Sequence, residues 1–145
     1  MRFLSVSVPL VFAVVLTVPL ILGLVAHAAE SGGKPSRLLV VWTSGDRDVA
    51  LKMVFMYTYN AKKNGWFDEV QLLVWGPSSK LLAEDAELRE YIGRMKKEGV
   101  ILTACKACAD SYGISETLAE LGIDVKYMGL PLTEMLKDGW TTITF

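Results

Sequence analysis

Short apolar runs alternate with helical patterns from residue 37 onward, and this alternation constrains the fold more than any other feature. The helical patterns include the stripe of Leu88, Ile92 and Met95, which Gly99 ends. Strands separated by helices form a mostly parallel sheet with helices on both faces. We therefore predict an α/β fold over residues 37–145, a three-layer α/β/α sandwich with a mostly parallel five-stranded sheet. The predicted strands are 37–43, 68–75, 100–104, 123–127 and 140–145.

The carboxyl ends of the first three strands are the predicted location of a site, because ligands and reactive groups collect at that edge of a parallel sheet. Ser44 and Gly45 follow the first strand, Trp75 closes the second, and Cys105 and Cys108 follow the third. We predict that Ser44, Gly45 and Trp75 contact a ligand. The same residues also fit an ordinary turn and a core tryptophan, so both interpretations stay open.

Cys105 and Cys108 are the only two cysteines of the chain and form a Cys-x-x-Cys pair between a predicted strand and a predicted helix. Exposed N–H groups at the start of a helix favour a thiolate, so we predict that Cys105 is a nucleophile. The spacing brings Cys108 to the same side of the first helical turn. A structural disulfide and a pair of inert thiols are the alternatives, although a disulfide that closes so short a loop stabilises little.

The composition argues against most other catalytic chemistry. The only histidine, His27, lies in the N-terminal apolar segment, so the predicted domain has no imidazole for a catalytic triad or dyad. Two cysteines are too few for an all-thiolate zinc site within one chain. A zinc ion shared between subunits is the alternative. We expect no metal and no cofactor. Without residues 1–28 the formal net charge is −2, since fourteen Lys and Arg stand against sixteen Asp and Glu. That charge does not favour a nucleic-acid partner.

The N-terminal residues have the pattern of an export signal. Arg2 precedes an uncharged apolar stretch over 3–25, and residues 26–28 match the small-x-small rule of a signal peptidase site. We predict that 1–28 is a signal peptide. Because the stretch could nearly span a bilayer, an uncleaved anchor is the alternative, and only then would the protein contact a membrane. Both interpretations place the domain in the periplasm or another extracytoplasmic space. Residues 29–36 read as a flexible lead-in.

The first predicted helix is apolar on more than one face. Val54, Phe55, Met56 and Tyr57 are consecutive, whereas a helix that covers a sheet in a monomer needs one apolar stripe. A second buried contact, most simply another subunit, would account for the excess. An exposed apolar surface without a partner is the alternative. We expect a homo-oligomer.

The stretch from Val100 to Ile114, VILTACKACADSYGI, resembles the DsrE/DsrF-like family and, within it, the YchN-like branch. The likeness is a strand, a cysteine, and a glycine eight residues later, and it extends over about residues 37–145. The resemblance implies an α/β fold and a trimer or hexamer. It also implies that Cys105 accepts sulfur as a persulfide and passes it on. Cys108 matches a second cysteine of YchN-like members, so its role is less defined.

The predicted function is an exported sulfur carrier that accepts sulfane sulfur on Cys105, with Cys108 as a resolving thiol. Its partner would be a sulfur donor or acceptor protein or a small sulfur compound. The sulfur-relay members of the family are cytoplasmic, so we expect no role in tRNA thiolation. A thiol–disulfide oxidoreductase that uses the same pair is one alternative. A non-catalytic oligomer that binds a small ligand or partner is another, and whether the protein is an enzyme, with sulfurtransferase as the candidate activity, stays open.

Overall fold

Five parallel strands form a single sheet in the computed structural model, which describes residues 34–145. The strand order is β4-β3-β2-β1-β5, and every neighbouring pair is parallel. The predicted α/β fold with a mostly parallel five-stranded sheet is confirmed, and each strand overlaps its predicted range. The strands are β1 (Arg37–Trp42), β2 (Glu69–Val74), β3 (Ile101–Cys105), β4 (Asp124–Lys126) and β5 (Thr141–Thr144).

Helices fill every connection between consecutive strands. The connection from β1 to β2 contains a π-helical stretch, Ala50–Phe55, between two α-helices. The α-helices are α1 (Arg47–Val49), α2 (Met56–Lys63), α3 (Pro77–Glu84), α4 (Ala86–Glu98), α5 (Lys106–Tyr112), α6 (Ser115–Glu120) and α7 (Gly129–Lys137). Gly99 and Gly113 end α4 and α5 with φ angles of 94° and 68°, a left-handed conformation that glycine adopts without steric cost.

The two faces of the sheet are covered unequally. From β1 to β4 the chain steps in one direction across the sheet, and right-handed crossovers then place all their helices on one face. The return from β4 to β5 steps the other way and places α7 on the opposite face. The larger core includes Leu38, Val40 and Trp42 of β1 with helical side chains up to Leu118. The smaller core holds Leu39, Val41, Leu73, Cys105 and Met128, with α7 packed against it.

The first helical segment buries one part of its apolar surface and exposes another. Val54 and Phe55 are fully buried against the sheet. Met53 and Met56 point outward, with 49% and 51% of their surface exposed, and Trp66 beyond the helix is 54% exposed. Met53 and Met56, which belong to the excess of apolar residues in this helix, are therefore accessible to solvent in the single chain.

The predicted signal peptide or anchor, 1–28, lies outside the described residues. Within residues 34–145, none of the helices combines the length and the apolar character that a membrane crossing requires. The last part of the predicted lead-in is held by hydrogen bonds. The Ser36 amide and hydroxyl both donate to the Asp68 carboxylate at 2.7 Å, and Lys34 pairs with Asp138.

Candidate functional site

Cys105 lies at the point where the connections of neighbouring strands leave the sheet on opposite faces. It is the last residue of β3 and the N-cap of α5, in register with Lys126 of β4. The helices after β3 pack on the larger core, whereas the helix after β4 packs on the smaller one. In open α/β sheets, ligands bind in the crevice at such a switch point. The strand order therefore gives Cys105 the position that a site most often takes in this architecture.

The two thiols differ in exposure. Cys105 is only 5% exposed because its side chain faces the smaller core, where it packs with Leu73 and Met128. Cys108 is half-buried and borders the same cluster from α5. Both residues are free thiols. The predicted pair thus lies together, with the earlier thiol inside the protein and the later one nearer the surface.

The environment of Cys108 favours its protonated form. Burial raises the pKa of the Cys108 thiol above its usual value, and a hydrogen bond with the Cys105 side chain raises this pKa further. The Gly76 amide and the Trp75 indole oppose this by hydrogen bonding to the Cys108 sulfur, since both favour the anion. The protonation of Cys108 therefore depends on Cys105, which favours the thiol, and on Trp75 and Gly76, which favour the thiolate.

Trp75 and Gly76 reach Cys108 because the end of β2 is held firmly beside the end of β1. The Trp75 amide donates to the Trp42 carbonyl at 2.9 Å, and the Ser78 hydroxyl donates to the same carbonyl at 2.6 Å. Gly76 then turns the chain with a φ of 74°, a conformation that side chains disfavour. The predicted binding residue Trp75 therefore lies beside Cys108, and its contact with a ligand stays a prediction.

The predicted binding residues Ser44 and Gly45 belong to a different part of the same edge. The Ser44 hydroxyl accepts a hydrogen bond from the Asp46 amide at 3.1 Å, and the Ser44 amide donates to the Phe145 carbonyl at 3.2 Å. Ser44 thereby shapes the loop after β1. Gly45 lines an open groove with a volume of about 280 Å³, and we call this the edge groove. Its other lining residues are Pro77, Lys80, Leu81, Glu84 and Tyr112.

Lys106 follows Cys105 in the chain, but its ammonium group pairs with an acidic side chain of α5. The Lys106 ammonium pairs with the Asp110 carboxylate at 2.7 Å and lies 5.8 Å from the centre of the Tyr127 ring. The hydrogen bond with Asp110 raises the pKa of Lys106. Within residues 34–145, no three His, Cys, Asp or Glu side chains cluster closely enough to hold a metal ion.

Two groups that lie at the site were not predicted from the sequence. The Gly76 amide donates to Cys108, and the buried Met128 covers Cys105. Gly76-Pro77 at the end of a strand predicts a turn. No sequence signal predicts that the Gly76 amide contacts Cys108, which lies in another segment. Met128 precedes α7, whose position depends on the strand order.

Comparisons with known proteins identify the family. The model of the DsrE/DsrF-like family matches residues 37–145. A conserved protein of unknown function, BT1422 from Bacteroides thetaiotaomicron, has 35% identity and a TM-score of 0.74, over 76% of this chain and 95% of its own. The ychN protein from E. coli has a TM-score of 0.57 over 76% of this chain and 99% of its own, and at 14% identity that likeness shows the fold alone. The comparison with curated proteins finds no match. The chain belongs to the DsrE/DsrF-like family, as its cysteine-bearing stretch predicted.

Proposed function

We propose that this protein is a sulfur carrier that holds sulfane sulfur as a persulfide on Cys105, with Cys108 as its partner thiol. The observation that carries the proposal is the position of the pair. Cys105 ends β3 at the switch point of the sheet, and Cys108 packs beside it at the same core. A thiol in such a crevice, next to a second thiol, can accept a sulfur atom and is shielded from bulk water by the surrounding side chains.

The sequence allows the position of the sulfur to be read directly. Lys106 separates the two cysteines, so trypsin places Cys105 and Cys108 on different peptides, 98–106 and 107–126. The protein would be incubated with inorganic polysulfide, or with thiosulfate and a donor enzyme, trapped with an alkylating reagent, and digested. We expect one added sulfur atom on wild-type protein, which at equilibrium lies mainly on the Cys105 peptide.

The control is the double variant Cys105→Ser, Cys108→Ser, which keeps both side chains polar and small. It should gain no sulfur under the same conditions. A folded wild-type protein that gains no sulfur, or that carries all of it on Cys108 at equilibrium, would contradict the proposed role of Cys105.

A thiol–disulfide oxidoreductase is the second candidate, because the hydrogen bond between the two thiols also suits closure to a disulfide. The reduction potential separates this function from a sulfur carrier with a stable disulfide. A potential of about −300 mV or lower, below the range of thioredoxins, would make the oxidoreductase role untenable.

The proposed setting is extracytoplasmic and oligomeric. Residues 1–28 have the pattern of a signal peptide or an anchor, and mass spectrometry of the protein from soluble and membrane fractions would report the mature N-terminus. The exposed Met53 and Met56 support a homo-oligomer, a trimer or hexamer in this proposal. A sulfur donor or acceptor protein, or a small sulfur compound, would be the partner, whereas the charge of the domain does not favour a nucleic acid.

A further inference from the structure

The two thiols are unequally placed to meet a partner. A donor persulfide must approach the accepting sulfur in line with its own S–S bond, and Cys105 is 5% exposed behind Met128 and Leu73. Cys108 is half-buried, so part of its side chain is in contact with solvent. A direct reaction at Cys105 would need these core side chains to move, whereas a reaction at Cys108 does not.

The edge groove is built by the neighbours of Cys108. Pro77 follows Gly76, whose amide contacts the Cys108 sulfur, and Tyr112 lies one helical turn after Cys108 on the same side of α5. Pro77 and Tyr112 therefore connect the lining of the groove to the surroundings of Cys108. The groove volume of about 280 Å³ is just below the range of about 300–1,000 Å³ for small-molecule pockets, which restricts the groove to a low-molecular-weight donor.

Cys108 also has the groups that a nucleophile needs in a domain without histidine. In a pair that has lost one proton, the Cys108 S–H donates to the Cys105 sulfur, which can accept its proton. The Trp75 indole and the Gly76 amide hydrogen bond to the Cys108 sulfur and stabilise the charge that develops on it.

We infer that sulfur enters and leaves the protein through Cys108, approached from the edge groove, and that Cys105 is the buried store to which Cys108 passes it. The donor class is a low-molecular-weight persulfide, R–S–SH. This inference rests on the proposed function. It makes Cys108, and not Cys105, the thiol that first reacts with the sulfur donor.

The transfer balances in two steps. In the first, the Cys108 sulfur attacks the outer sulfur of R–S–SH, the S–S bond of the donor breaks, and R–S⁻ leaves. The Cys108 proton passes to the Cys105 sulfur, and Cys108 becomes a persulfide. In the second step the Cys105 sulfur attacks the outer sulfur of that persulfide, and the Cys105 proton passes to the departing Cys108 sulfur. The oxidation state of the sulfane sulfur does not change, so no oxidant or reductant is needed.

Time-resolved peptide mapping tests the order. Wild type, Cys105→Ser and Cys108→Ser would each be mixed with glutathione persulfide and trapped by alkylation at increasing times. On wild type, sulfur should appear first on the 107–126 peptide and then on the 98–106 peptide. Cys105→Ser should load on the 107–126 peptide and keep the sulfur there, and Cys108→Ser should load slower by about tenfold or more because its remaining thiol is covered.

Loading of Cys105 in Cys108→Ser at the wild-type rate, with no earlier sulfur on the 107–126 peptide of wild type, would overturn the inference. That result leaves the proposed function intact, since Cys105 would still carry the sulfur. Failure of wild type to load at all would overturn both. Circular dichroism of each variant checks the fold.

A matched pair of glycine variants tests the groove as the route. A side chain at Gly45 would enter the edge groove, where its Cβ would lie 3.4 Å from the Pro77 Cβ, whereas one at Gly93 on α4 would meet open space. Gly45→Leu should slow loading from glutathione persulfide by about tenfold while Gly93→Leu loads like wild type. Equal rates for the two leucine variants would overturn the groove as the path to Cys108.

Discussion

At the scale of single residues, the protonation of Cys108 is set by its burial and by three neighbouring residues, and these influences act in opposite directions. Burial and Cys105 raise its pKa, while Gly76 and Trp75 lower it. Reactivity of a thiol follows the thiolate, so these neighbours decide at which pH Cys108 reacts. Replacing one of these neighbours should therefore shift the Cys108 pKa in the direction opposite to the effect of that neighbour.

Replacing Cys105 with alanine should lower the pKa of Cys108, because it removes both a hydrogen-bond partner and a nearby sulfur charge that favour the protonated thiol. The pH dependence of the alkylation rate of the single remaining thiol reports this pKa. Since the pKa falls, alkylation should reach half its maximal rate at a lower pH than for Cys108 in the native pair.

The opposite sign is expected for Trp75→Phe, which keeps the aromatic ring and removes the indole N–H. Loss of that donor should raise the pKa of Cys108 and slow its alkylation at neutral pH. The variant should be made in the Cys105→Ala background so that one thiol is observed. If both substitutions moved the pKa in the same direction, the described contacts of Cys108 would be wrong.

At the scale of elements, α7 and the residue before it are the cover of the face that holds Cys105. Met128 is fully buried in the smaller core, so truncating it should open a cavity beside Cys105. Met128→Ala should cost about 2–5 kcal/mol of unfolding free energy, measured by urea denaturation, and should speed the alkylation of Cys105 in a Cys108→Ser background.

The matched control is Met53→Ala, which removes the same atoms from a side chain that is 49% exposed. It should change the unfolding free energy of the single chain by less than about 0.5 kcal/mol and leave the alkylation of Cys105 unchanged. Equal losses for the two methionines would contradict the burial of Met128.

The capping of α4 provides a second test at this scale. The Asp85 carboxylate accepts hydrogen bonds from the Glu87 and Leu88 amides at 2.9 and 3.0 Å and also pairs with Arg47. Asp85→Ala should lower the unfolding free energy, because helix amides lose their acceptor. Asp85→Asn keeps an acceptor and loses the ion pair, so chemical denaturation of both variants separates the two contributions. We expect the smaller loss for asparagine.

At the scale of the whole molecule, residues 34–37 and the two thiols lie at opposite ends of the strands. Residues 34–37 join the sheet at the amino end of β1, where Arg37 and Lys34 both pair with Asp138. The thiols lie at the carboxyl edge, about 20 Å away along a strand of six residues. Residue 34 therefore lies at the edge of the sheet opposite the thiols.

Acid should weaken this attachment. Hydrogen bonds from Ser36 lower the pKa of Asp68, and the contact with Lys34 lowers the pKa of Asp138. A carboxylate whose folded-state pKa is depressed stabilises the fold above its unfolded-state pKa, and this contribution is lost as the pH falls through the folded-state value. The urea midpoint should decrease from pH 7 to about pH 3. The decrease should be smaller in Asp68→Asn, and an equal decrease would show that Asp68 does not contribute.

Oligomer formation is the remaining prediction at this scale. If the exposed Met53 and Met56 form a subunit contact, a charge in their place should break it, because a buried unpaired charge is costly. Light scattering coupled to size exclusion should show a trimer or hexamer for wild type and a smaller species for Met56→Asp. Leu136→Asp, which places the same charge on the 51%-exposed Leu136 of α7, is the control. An unchanged mass for Met56→Asp would contradict a contact at the first helix.

The sequence alone determined the class of fold and the candidate site residues. Apolar runs such as 37–43 are typical of strands that are buried on both faces, as in a parallel sheet between helices. All five strands overlap their predicted ranges, which follows from that local pattern. The two cysteines were likewise the only thiols that the chain offered.

Tertiary structure decided the surroundings of these residues. The strand order put Cys105 at the switch point, because β5 returns beside β1 and carries α7 to the opposite face. It also buried Cys105, brought the Gly76 amide to Cys108 and left Gly45 in the edge groove. These contacts join segments that are far apart in the chain, so no local pattern of residues encodes them.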